Sequence, residues 1–152
     1  MALLAVPPFV LSGARFSPDG RLVAYESSDG TGTQVLAQPW PFAGDKWPVS
    51  ISGGRNPTWN PAGGELFYVT SGNDLMSVKV TGSNRGTSFG GPVRLFGDAL
   101  TIPSTAFPQY APSRDGSRFL LIERSADTLA NETTPLVVSV NWQAALAPHE
   151  KQ

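Results

Sequence analysis

Gly86-Thr87-Ser88-Phe89-Gly90 matches G-x-S-x-G, the pattern that sets a nucleophilic serine on a sharp turn in one class of hydrolases. Asp98, Asp115 and the single histidine, His149, follow it in the order serine, acid, histidine. Order alone does not make a nucleophile. A strand must lead into the serine and a helix must leave it, so that the hydroxyl stands clear of the backbone. Here the stretch is rich in Gly and Ser, reads as a loop and runs on into another strand, while His149 lies in a polar tail. The chain is therefore read as non-enzymatic, with a hydrolase, or part of one, as the alternative that Ser88 keeps in play.

Other chemistries have fewer residues to draw on. One histidine, no cysteine and no carboxylates at calcium-loop spacing provide no metal site. Gly30-Thr31-Gly32 lacks the third glycine and following helix of a dinucleotide fingerprint, so it reads as a turn and no cofactor is expected. Asp19 and Asp115 follow turn-forming residues, where a carboxylate accepts backbone N–H groups. Asn131-Glu132-Thr133 is a glycosylation sequon only in a host that uses one. The aromatic residues Trp40, Phe42 and Trp47, around a Pro/Gly-rich loop, are the candidate ligand contacts. Exposed Trp is favoured at binding surfaces, and packing is the competing role.

The elements that would position these residues follow from composition. Forty per cent of the 152 residues are hydrophobic and 15% are charged, so the chain can bury a core. Sixteen glycines and fourteen prolines make up about a fifth of it, against a usual share of about 12%. They fall between short apolar runs, the pattern of many turns joining many strands. Eleven basic and twelve acidic residues give a net charge of −1 with no basic cluster, which argues against a nucleic-acid partner. The opening MALLAVPPFVLSG lacks a basic leader and is interrupted by Pro7 and Pro8; it reads as a strand, and no segment is suited to membrane insertion.

One unit recurs three times. Ser17-Pro18-Asp19-Gly20 has Phe16 before it and Leu22-Val23-Ala24-Tyr25 after it: strand, tight turn, strand. Asn60-Pro61-Ala62-Gly63 has Trp59 before it and Leu66-Phe67-Tyr68 after it. Ser113-Arg114-Asp115-Gly116 leads into Phe119-Leu120-Leu121-Ile122. The turns are 43 and 53 residues apart, the spacing of four-stranded propeller blades. Further strands are expected after the hairpins at 33–38, 75–80 and 136–140, and before them at 3–6, 47–51 and 93–96. The fold class is thus all-β, with three four-stranded blades, a half propeller. Repeat units run over 1–45, 46–91 and 92–142 of a region 1–147, followed by a polar tail at 148–152. A short helical turn is allowed at 142–146, and an all-β sandwich is the competing fold.

These turns resemble the TolB-like β-propeller repeats, whose hallmark is an aromatic-Ser-Pro-Asp-Gly turn followed by an apolar strand. Gln38-Pro39-Trp40-Pro41-Phe42, Lys46-Trp47-Pro48-Val49-Ser50, Gly53-Gly54, Pro57-Thr58-Trp59 and the closing Val137-Val138-Ser139-Val140-Asn141-Trp142 look like the C-terminal propeller of certain bacterial serine/threonine protein kinases and related multidomain proteins. The kinase signatures themselves are absent. The resemblance implies a sensor or protein-binding module, with a protein or peptide partner, placed outside the cytoplasmic membrane. Sugar binding is a further alternative.

Three blades do not close a ring, since propellers have about four to eight. Either the chain is a fragment of a longer propeller, as a start in an outer strand suggests, or two copies form a six-bladed homodimer. The homodimer is the favoured expectation, with the strand at 3–6 completing the partner's last blade.

Overall fold

Glycine closes all three turns as its chemistry dictates. In the first, the Gly20 N–H donates to Ser17 O at 2.8 Å, and Gly20 takes a φ of +71°, a left-handed conformation that costs glycine little. The bond recurs from Gly63 to Asn60 O and from Gly116 to Ser113 O, with φ of +84° and +72°. A computed structural model of the chain describes residues 9–41, 44–83, 86–97, 110–122 and 136–139.

Two of the turns also supply an acceptor for the amide that follows them. Asp19 Oδ1 accepts from Arg21 N at 3.1 Å, and Asp115 Oδ1 from Ser117 N at 3.1 Å. The second turn has Ala62 where the others carry Asp; there Asn60 Oδ1 accepts from Ala62 N at 3.0 Å. The side-chain acceptor thus moves from the third turn position to the first, and the amide it holds lies inside the turn rather than after it.

The strands assemble into three antiparallel sheets. The first has the order β1 (Val10–Phe16), β2 (Leu22–Ser28), β3 (Thr33–Pro39) and β4 (Trp47–Pro48). The second runs β5 (Arg55–Trp59), β6 (Glu65–Val69), β7 (Leu75–Ser83) and β8 (Gly86–Phe89), and β9 (Val93–Phe96) also pairs with β7. The third is β10 (Tyr110–Pro112), β11 (Phe119–Ile122) and β12 (Leu136–Ser139). No helix occurs among the described residues. The expected strand at 3–6 and the expected helical turn at 142–146 lie outside them.

Two details differ from the sequence-based expectation. The segments expected ahead of the second and third hairpins pair backwards: β4 lies on β3, with Ala37 opposite Trp47, and β9 lies on β7, with Ser77 opposite Val93. Each of the first two sheets therefore takes in the strand that opens the next repeat unit. Residues 86–89, expected as a loop, form strand β8, because β7 is long enough to pair with β9 at its start and β8 at its end. The break between them is Gly90-Gly91-Pro92, where the Gly90 N–H still reaches Lys79 O at 2.8 Å.

The core lies between the sheets. Leu22, Ala24, Val35 and Ala37 of the first sheet meet Trp59, Leu66, Tyr68 and Val78 of the second. Phe67, Val69 and Leu75 of the second then meet Tyr110, Phe119 and Leu121 of the third. Alternate strand residues thus serve alternate interfaces, as the period-two geometry of a strand requires. Polar bonds add register: the Trp59 indole N–H donates to Arg15 O at 3.0 Å, and the Tyr110 hydroxyl to Asn56 O at 2.7 Å. Burial pushes the Tyr110 phenol well above its ordinary range.

Candidate functional site

Ser88 lies on an exposed strand, and its Oγ is 2.7 Å from Thr81 Oγ1 across the β7–β8 pair. The strand–turn–helix that would expose a nucleophile is not formed at this serine. Asp115 is held in its own turn by Ser113 Oγ and Ser117 N. Asp98, His149 and the sequon at 131–133 lie outside the described residues. Gly30-Thr31-Gly32 is the β2–β3 turn, built on Asp29, whose Oδ1 accepts from Thr31 N, Thr31 Oγ1 and Gly32 N. Those bonds, the Thr31 hydroxyl above all, hold the Asp29 carboxyl below its ordinary value.

The aromatic candidates make different contacts. Trp40 is half-buried with its ring edge-on to Phe16, centroids 5.2 Å apart. Trp47, also half-buried, lies 5.5 Å from Phe89 and packs on the core between the first two sheets. Phe42 is outside the described residues.

Sequence reasoning missed a cleft of about 570 Å³ between the first and second sheets, at the end opposite the Ser17 and Asn60 turns. Its construction starts from two bulges. The β1–β2 register slips between Ser12 and Arg15, and the β5–β6 register slips at the matching place between Arg55 and Thr58. Gly13 (φ +62°) and Asn56 (φ +53°) are the left-handed residues in the two slips, and they are 43 residues apart, like the turns. That recurrence was legible in the sequence only to someone already counting in steps of 43.

Between the bulges sits Glu26. Its Oε2 accepts from Ser12 Oγ at 3.0 Å and its Oε1 from Asn56 N at 2.7 Å, so one carboxylate ties the innermost strands of two blades. Gly13 is favoured by its left-handed φ, and a Cβ there would meet Glu26 Oε1 at 2.9 Å, displacing the carboxylate. The lining also carries Arg55 of the second sheet, whose Nη1 donates to Thr70 O at 2.9 Å and Nη2 to Asn73 Oδ1 at 2.6 Å. Gly54 joins the sheets: its N–H donates to Thr33 O, and a Cβ there would collide with Ser50 and Tyr68. Hydroxyl and amide side chains of Thr31, Gln34 and Ser71 complete the lining. The arrangement can hold a small polar molecule by hydrogen bonds and charge. No group of three or more potential metal ligands occurs among the described residues.

No family model matches the chain, and no curated protein matches it. Similarity appears in solved structures. TolB from Acinetobacter baumannii superposes with a TM-score of 0.53 at 15% identity, over 85% of this chain and 29% of its own. A candidate 6-phosphogluconolactonase from Bacteroides fragilis gives 0.55 at 14%, over 88% of this chain and 39% of its own. A second such protein, from Bacteroides uniformis, gives 0.51 at 14%, over 83% and 38%. The chain thus spans well under half the length of these structures, and at such identities the likeness is one of fold. Three blade-like antiparallel sheets in series, closed by repeated Gly turns and matching these structures, give the chain a TolB-like β-propeller fold.

Proposed function

We propose that the chain is a non-enzymatic β-propeller module that works by binding, and that a second copy completes a six-bladed ring around it. The observation that carries this reading is the position of Phe16. It occupies in the first blade the place of Trp59 in the second: Phe16 pairs with Val23 as Trp59 pairs with Leu66. Trp59 is 7% exposed because it packs on the preceding blade; Phe16 is 56% exposed. Val23 and Tyr25 on the same face are buried, so the open part is its turn-ward end, Phe16 with Trp40 against it. A further blade would cover that end as the first blade covers Trp59.

On this reading Trp40, Phe42 and Trp47 remain the proposed aromatic contacts for a protein or peptide partner. The location proposed is extracytoplasmic, as the family resemblance implies. Hydrolysis at Ser88 draws no support from a serine paired within a strand ladder. Light scattering after size exclusion tests the ring directly. A mass of twice 16.1 kDa that falls to 16.1 kDa in Phe16→Asp is the expected result. A wild-type monomer overturns the homodimer.

A further inference from the structure

We infer that the cleft between the first two blades binds a small zwitterion of the amino-acid or short-peptide class, its ammonium at Glu26 and its carboxylate at Arg55. Both residues line the same cleft, yet they form no ion pair with each other. Neither charge is spent. Glu26 accepts one hydrogen bond at each oxygen, and a carboxylate oxygen can take two. Arg55 uses two of its five N–H donors. Both groups are also held in place, Glu26 by Ser12 and Asn56, Arg55 by the β6–β7 turn. A ligand therefore meets charges whose ordering cost is largely met in the free protein, the condition under which charge-assisted hydrogen bonds give affinity.

The rest of the lining selects among ligand classes. It holds hydroxyls, amides and glycine backbone, with no aromatic ring on which a sugar could stack. The volume of about 570 Å³ falls within the range of small-molecule sites, roughly 300–1,000 Å³. Opposite charges, one from each sheet and unpaired with each other, in a small non-aromatic cleft match a molecule with opposite charges at its two ends. Since both sheets belong to one chain, the inference stands or falls separately from ring closure.

Calorimetric titration of the full chain with dialanine, N-acetyl-dialanine, dialanine amide and glucose tests it. Dialanine is expected to bind, and each blocked form to bind more weakly by about tenfold or more, the loss of one charge-assisted contact. Glu26→Gln keeps an acceptor for Asn56 N and removes the charge; it should abolish the preference for dialanine over the N-acetylated form. Should that variant unfold, Ser71→Trp, at an exposed lining position away from Glu26, should block dialanine while leaving the melting temperature unchanged. Absence of dialanine binding, equal affinity for the blocked forms, or binding of glucose alone would each overturn the inference.

Discussion

Trp59→Phe converts the second blade's clamp into the residue that the first blade carries at the same place. Two losses follow from the structure. The indole N–H no longer donates to Arg15 O, a bond of 3.0 Å, and a typical neutral hydrogen bond contributes about 1 kcal/mol. The six-membered half of the indole also leaves a ring site that is 7% exposed, and the apolar area withdrawn amounts to about another 1 kcal/mol. The expected destabilisation is about 2 kcal/mol, which for a chain of this size corresponds to roughly 4–8 °C in Tm. Urea unfolding followed by circular dichroism provides the measurement, with an unchanged m value as evidence that the unfolding unit is the same. Phe16→Leu is the internal control: at 56% exposure it should cost about 0.5 kcal/mol or less in the isolated chain. If Trp59→Phe lies within about 0.5 kcal/mol of wild type, the packing of the second blade on the first is wrong as described.

Two further outcomes follow from the turns. Gly20 and Gly116 have nearly the same φ, +71° and +72°, but a Cβ on Gly20 meets nothing within 4 Å, whereas one on Gly116 collides with the Asn60 side-chain amide. Gly20→Ala should cost about 1 kcal/mol for conformation alone, and Gly116→Ala clearly more, measured by the same unfolding assay. The carboxyls of Asp19 and Asp115 are held below their ordinary value of 3.8, chiefly by the Ser17 and Ser113 hydroxyls. Below that ordinary value the unfolded chain binds more protons than the folded one, so this contribution is complete above it and is lost as pH falls through the lowered values. Tm should decline on acidification below about pH 4, and the double variant Asp19→Asn with Asp115→Asn should flatten that limb.

What was legible in the sequence is what short-range chemistry decides. The Pro/Asp/Gly turns, the apolar runs after them and their spacing mark out hairpins and blades, because turn φ angles and strand alternation depend on residues a few positions apart. The same locality explains what the sequence left open or misplaced. Gly86–Phe89 looks like a loop by composition, but β7 extends far enough to pair with it. G-x-S-x-G is a local pattern whose meaning depends on the elements around it; the sequence already argued against a nucleophile there, and Ser88 stands in a strand ladder. For Trp40 and Trp47, seven residues apart, only the structure shows the neighbours: one ring meets Phe16 and the other Phe89.

The cleft belongs wholly to the tertiary level. Glu26 and Asn56 are 30 residues apart, and nothing about either predicts a bond between them. Their meeting needs two bulges in register and two sheets packed face to face. By itself the sequence determined a repeating hairpin and an all-β class, since those follow from residues in contact along the chain. Only the packed sheets decided which charges share a cleft and which stay unpaired, because burial and charge proximity are properties of residues that the chain keeps far apart.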